Sequence, residues 1–322
     1  MKLTRRHTFG LLAAPLLAAA GWPDRPIRIV VPYAPGGNID LVARLVAPRM
    51  SELLGQSVIV DNRPGAGGSL GAENVARAAP DGYTLLAGSN GPITVNPLVQ
   101  ASLAYKPLED FAPIGQVNRV PLVLMVTDAV KARDIPALVA ESKAGGQGLS
   151  CGTAGVGSTG HLALELFNNA TGAQLLHVPY RGGGAVVPDF LSGNVKSMFI
   201  EYSTALPLHR DGKGRILAIA ADHRSPLLSE VQTFIEGGVK DFRAASYCGL
   251  LAPSGTPAAT LARLQEALAQ ALADAGVRKQ LTEMGSELAE GALLTPAGFA
   301  GFLREQAGEA KRAADLAGIQ PS

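Results

Sequence analysis

Arg28-Ile29-Val30-Val31-Pro32-Tyr33-Ala34-Pro35-Gly36-Gly37-Asn38-Ile39-Asp40 is the stretch on which the fold turns. Residues 28–31 are a short apolar run with the length and β-branched content of a buried strand. Residues 32–38 form a loop, and a helical stretch follows over about residues 39–54. Pro48 falls inside it and is expected to kink or split the helix, because its ring removes a donor and crowds the preceding turn. Residues 57–60 supply the next strand, residues 63–68 a glycine-rich loop, residues 69–79 a short helix, and residues 83–87 a third strand. That strand–helix rhythm predicts an α/β fold with a parallel sheet and helices on its faces.

The theme recurs along the chain. Strands are expected over residues 122–126, 149–152, 175–178, 196–200 and 216–220, with helices over 161–169 and 185–192 between them. The last part reads as helical. Thr256-Pro257 and Thr295-Pro296 both have the form of a cap followed by a first-turn proline. Leu261, Leu264, Leu268 and Leu272 lay an apolar stripe along the first of these helices. There is no short-period repeat and no long linker, which favours two domains sharing several connections.

The loops between strand and helix carry the functional signal. Pro35-Gly36-Gly37-Asn38, Gly67-Gly68-Ser69, the run from Gly155 through Gly157, Ser158 and Thr159 to Gly160, and Arg181-Gly182-Gly183-Gly184 each precede a helix. Each places small residues where the backbone can approach another group closely, and free N–H groups at the positive end of a helix dipole. In open α/β sheets ligands lie off the carboxyl ends of strands, where these loops fall. One such loop is ordinary turn chemistry. Four in one chain point to an anionic ligand.

Two loops imitate enzyme motifs. Gly155, Gly157 and Gly160 match G-x-G-x-x-G, but the next strand offers Leu175-Leu176-His177-Val178, with no acidic residue to hold a ribose. Gly67 through Gly71 match G-x-S-x-G around Ser69, yet the nucleophile elbow needs a strand running into the serine, and residues 62–66 read as loop. Four histidines follow Ser69 (His161, His177, His209 and His223), so a periplasmic serine hydrolase stays as the alternative. No H-E-x-x-H, Cys-x-x-Cys or phosphate-binding P-loop occurs, and no cofactor is expected. His161 and Glu165 are four apart on one helix face, the spacing of two metal ligands or of a plain surface contact.

The first twenty residues read as an export signal. Lys2, Arg5 and Arg6 precede the apolar run of residues 9–20, too short to span a bilayer, and Ala18-Ala19-Ala20 offers a cleavage site near Ala20. Removing this segment takes three of the 28 basic residues and none of the 27 acidic ones. The remaining 25 basic and 27 acidic side chains give a formal charge of −2, which argues against nucleic acid or an anionic membrane surface as partner. Cys151 and Cys248 are open to two readings, a disulfide in an oxidising compartment or two small buried hydrophobes.

Taken in order, several stretches resemble the substrate-binding components of tripartite tricarboxylate transporters, the Bug-type receptors. They are residues 25–37 with Asp40 three residues on, 60–68, 80–86, 110–115, 155–162, 177–183, 249–257 and the terminal Ala317-Gly318-Ile319. The resemblance covers essentially the whole chain after residue 20. It implies a type II periplasmic-binding-protein fold: two Rossmann-like domains joined by crossing strands near residues 121–126 and 247–251. Residues 22–120 with 248–322 would make one domain and 121–247 the other. It implies a monomeric periplasmic receptor that holds a small organic acid or amino acid, passes it to a two-subunit membrane permease, and performs no chemistry. By position its ligand contacts would be Pro35, Gly36, Gly37, Asn38, Asp40 and Ser89 on one side. On the other they would be Thr153, Gly157, Ser158, His161, Tyr180, Gly182, Gly183 and Glu201. Pro48, the two cysteines and Glu201, where relatives often carry Asp, depart from the family pattern. Glu201 could select a hydroxyl or amino group, or be only an exposed strand-end carboxylate.

Overall fold

The computed structural model describes residues 21–144, 146–319 and 321, so the export segment lies outside the described residues. Strand β1 (Ile27–Val31) pairs in parallel with β2 (Val58–Asn62) on one side and β3 (Thr84–Gly88) on the other. Helices α1 (Asn38–Leu54) and α2 (Ser69–Ala76) make the connections, as the apolar runs and intervening loops predict. A five-residue π turn and the short α3 (Asn96–Val99) follow β3. α1 is one continuous helix of 17 residues. Pro48 does not split it, because the proline sits on the exposed side while Val42, Val46, Met50 and Leu54 are fully packed into the core. Burial of that face outweighs the single lost backbone bond.

Strand β4 (Phe111–Val126) joins the two halves of the molecule. Over residues 111–121 it lies against β9 (Ala245–Pro253), which also pairs with β3. Over residues 122–126 it enters a second sheet, between β7 (Ser197–Glu201) and β8 (Arg215–Ile219). There β5 (Leu149–Thr153) pairs in parallel with β6 (Leu175–Pro179) and β7. Helices α4 (Ile135–Ala144), α5 (Thr159–Thr171), α6 (Gly183–Leu191) and α7 (Tyr202–Arg210) accompany this sheet. The return crossing falls earlier than residues 247–251. Ala244 accepts from Leu122 N–H and donates to Ala220, so the chain changes sheet at Ala244–Ala245. The later residues are already the centre of the first sheet.

Each sheet has its own core. In the first, α1 packs beside α8 (Ala258–Ala273), whose Leu264, Leu268 and Leu272 are buried as the stripe predicts. In the second, Phe167, Phe199, Phe234 and Phe242 form an aromatic cluster, with Phe199 stacked on Phe234 at 5.6 Å. Cys151 belongs to the second core and Cys248 to the first. Both are buried and unbonded, which settles the cysteines as small core residues. α9 (Ala275–Glu283) and β10 (Glu287–Leu288) lead to α10 (Pro296–Ala317), which Thr295 caps by accepting from Gly298 N–H. Thr256 does not cap α8. Its hydroxyl donates to the Pro253 carbonyl, and Pro257 takes the cap position. α10 also reaches the other half. Ala310 and Ala314 pack with Val95, Val99 and Leu162 of α5 in a small apolar cluster.

Candidate functional site

The glycine loops predicted to bind a ligand meet one another. The loop after β1 faces the loop after β6, and Ala34 N–H donates to the Arg181 carbonyl at 2.8 Å. Approach is close enough that a Cβ on Gly184 would stand 2.3 Å from the Pro35 carbonyl oxygen, and one on Gly37 would be 3.3 Å from Gly184 N. Gly182 has φ 135°, a conformation that side chains rarely adopt, and it turns the chain from β6 into α6 against Tyr33 and Ala34. Helices α1 and α6 therefore start head to head, at Gly37 and Gly182, and no side chain caps either one. The loops after β2 and β5 meet in the same way, with Gly67 beneath Val156 and Gly157 against Asn96. A cavity of about 190 Å³ lies between them, lined by Tyr33, Gly65–Gly68, Ala154–Val156 and Pro179–Arg181.

The structure separates the residues that border this junction from those that hold it in place. Pro35 and Gly36 are exposed at the rim, and Gly37, Gly182 and Gly183 are buried in it. Asn38 spans the halves, its amide oxygen accepting from Ser203 at 3.0 Å. Ser89 is buried against the Tyr33 hydroxyl at 3.1 Å. Ser158 caps α5 by accepting from His161 N–H, and Thr153 accepts from Gly155 N–H. Glu201 ends β7 close to Gly183.

Asp40, His161 and Tyr180 are each tied to neighbouring groups at the edge of the junction. Asp40 accepts from Gly36 N–H, Arg44 and Asn62. Burial raises its carboxyl, but those three donors outweigh burial and hold it below the usual range. Tyr180 donates to Asp189 on α6 at 2.6 Å. His161 Nδ1 accepts from Gly157 N–H, and its ring stacks on His177 at 4.2 Å, while His177 Nε2 contacts the Thr153 hydroxyl at 2.7 Å. Burial lowers both imidazoles, and with the neighbouring ring His177 falls to about 4, so the pair is neutral near pH 7.

Positive charge at the junction comes from the main chain. Arg44 is committed to Asp40 and Arg63 to Asp61, and Arg181 lies exposed at the rim. The two helix starts supply roughly half a unit of positive charge each. Tyr33, Ser203 and Thr204 belong to this junction and escaped the sequence reading. Glu201-Tyr202-Ser203-Thr204 is a polar run at a strand end opening a helix, the signal used for the glycine loops, but without glycine.

Ser69 is not a nucleophile elbow. It follows the turn Ala66–Gly68 rather than a strand, accepts from Asn96 and donates to Gln100 at 3.1 Å. Among the described residues no histidine is hydrogen-bonded to it, and no group of three or more metal-ligating side chains gathers. His161 and Glu165 stand 3.9 Å apart, the plain helix contact.

Two α/β halves joined by crossing strands, with glycine loops and bare helix starts facing each other, define a solute-binding protein. The chain belongs to the family described as the tripartite tricarboxylate transporter family receptor, whose profile matches residues 42–300. Protein BugT of Bordetella pertussis is 36% identical over 296 residues, covering 92% of this chain and 90% of BugT. R. palustris Rpa4515, solved with adipate, is 34% identical with a TM-score of 0.89, covering 94% of this chain and 100% of that one. The periplasmic binding protein BugD is 31% identical with a TM-score of 0.90, again covering 94% and 100%. The fold and class read from the sequence are those of this family, and the hydrolase alternative finds no support.

Proposed function

We propose that this protein captures a small organic acid or amino acid between its halves and hands it unaltered to a two-subunit membrane permease. The observation that carries the reading is the head-to-head meeting of two uncapped helix starts, at Gly37 and Gly182. Main-chain N–H groups and two macrodipoles suit a carboxylate without any basic side chain. The adipate in the R. palustris relative is a ligand of the same chemistry. With the crossings at Pro121–Leu122 and Ala244–Ala245, residues 22–121 with 245–322 form one domain and 122–244 the other. Pro35, Gly36, Gly37, Asn38, Ser89, Thr153, Gly157, Ser158, Tyr180, Gly182, Gly183 and Glu201 frame the ligand, while Asp40 and His161 hold the loops from behind. The receptor works as a monomer in the periplasm after cleavage near Ala20.

Thermal unfolding across a panel of small acids tests this, with each acid followed by NMR in the same sample. A true ligand at 100 times its Kd should add about 2.7 kcal/mol of stability and remain chemically intact. A panel without any stabilising acid, or turnover that disappears in Ser69→Ala, would refute the receptor reading.

A further inference from the structure

Glu201 stands at the junction without a cationic partner. It ends β7, directly opposite Leu122 where β4 enters the second sheet, and precedes the first residue of α7. Its Oε2 lies 3.1 Å from the position a Cβ on Gly183 would occupy, and its charge acts on the buried Tyr33 phenol across the junction. No ion pair reaches it among the described residues; desolvation pushes its carboxyl above the ordinary range, against the Ser246 hydroxyl and its own backbone, which favour the charged form. Two other polar groups there lack partners. Thr204 Oγ1 lies 4.0 Å from the same Gly183 position, and Asn38 Nδ2 is bare although its oxygen is bonded to Ser203. Asn38 is 1% exposed and Thr204 7%, so water does not satisfy them freely. One charged acceptor and two unused polar groups thus sit beside the uncapped start of α6.

We propose that Glu201 determines ligand choice: its carboxylate accepts a hydrogen bond from an ammonium or hydroxyl group on the ligand, next to the carboxylate held by the Gly37 and Gly183 main chain. The inference rests on the receptor reading above. Glu201 is half-buried, and a ligand seated against it would strip the remaining water from a carboxylate that has no cationic partner; a donor on the ligand offsets that cost. A second ionised carboxylate at the same point would set like charges together with no basic side chain to offset them. Unsubstituted acids leave Glu201 unpaired, and diacids pointed at it are repelled. α-Amino and α-hydroxy acids satisfy both ends.

Calorimetric titration of the whole protein separates these cases. The probes are propanoate to hexanoate, their 2-amino and 2-hydroxy counterparts, and succinate to adipate, against wild type, Glu201→Gln and Glu201→Asp. The wild type should prefer an amino or hydroxy acid over the parent acid and the diacid by about 10- to 100-fold, the range of a hydrogen bond to a charged group. Glu201→Gln should lose most of an ammonium preference and only part of a hydroxyl preference, which tells the two donors apart. Glu201→Asp keeps the charge and should retain the ranking at reduced affinity, so a folding defect in the Gln variant cannot imitate the result. A ranking unchanged in Glu201→Gln overturns the inference and leaves the receptor reading intact. So does a diacid bound best, and more tightly as pH falls, because Glu201 would then act as a protonated donor. If no acid binds the folded wild type, both readings fall together.

Discussion

Replacing Gly184 with Ala isolates closure of the two halves from folding. Gly184 lies in the first turn of α6 without a positive φ, so Ala is compatible with its backbone and favours the helix by about 0.5–1 kcal/mol. The added Cβ would meet the Pro35 carbonyl oxygen at 2.3 Å, Gly36 C at 2.8 Å and Gly37 N at 2.9 Å, all backbone atoms of the opposite loop. Ordinary contact needs about 3.4 Å or more, so the loops must part by roughly 1 Å. Such a shift strains the Ala34–Arg181 and Ser203–Asn38 hydrogen bonds, which stand at 2.8 and 3.0 Å. At about 0.5–1.5 kcal/mol each, losing both costs the closed state about 1–3 kcal/mol. Affinity for a bound acid should therefore fall about 5- to 150-fold while the melting temperature of the empty protein holds or rises slightly. Calorimetry with a stabilising acid and thermal unfolding of the empty variant read the two effects separately. Wild-type affinity in Gly184→Ala would show that the loops need not meet for binding, and the reasoning from facing helix starts would fail.

Three further outcomes follow from the geometry. Asp40→Asn removes a carboxylate accepting from Arg44, Asn62 and Gly36 N–H, and should cost about 1.5–3 kcal/mol at neutral pH. Because the folded carboxyl sits below its unfolded value, its contribution is full above about pH 4 and lost as pH falls further. Urea unfolding from pH 2 to 7 should show a flatter acid limb in the variant. His177 is depressed to about 4 against an unfolded value near 6.5, so its contribution is complete above about pH 6.5 and disappears towards pH 4. His177→Gln should flatten stability across that window, and an unchanged slope would remove the neutral-pair assignment. Burial pushes the thiols of Cys151 and Cys248 up to about 12, so a thiol reagent should label neither in the folded protein and both in denaturant, with no mass change on reduction.

Much of the fold was legible because parallel strands buried on both faces read as plain apolar runs, as β1 and β3 do, while the edge strand β2, with Ile59 half-exposed, was legible from its β-branched start. β4 was legible only in its second half. Its residues 111–121 carry Pro113, Gly115, Gln116 and Asn118, a polar mixture that becomes strand only because β9 pairs with it. Pro48 misled for a similar reason, since local chemistry predicts a break that core packing overrules. At the site, the glycines were readable because close backbone approach requires them. Side-chain direction was not. His161, Tyr180 and Asp40 are engaged by His177, Asp189 and Asn62, and these partners are set by tertiary packing. Thr204 was missed because a threonine opening a helix after a strand looks like any cap.

Native mass spectrometry of the protein purified from periplasm without unfolding tests the central claim most directly. The expected species is a chain beginning near Gly21 that carries one small organic acid or amino acid, released intact on denaturation. A chain with no bound small molecule, before and after incubation with the acids of the panel, would contradict it.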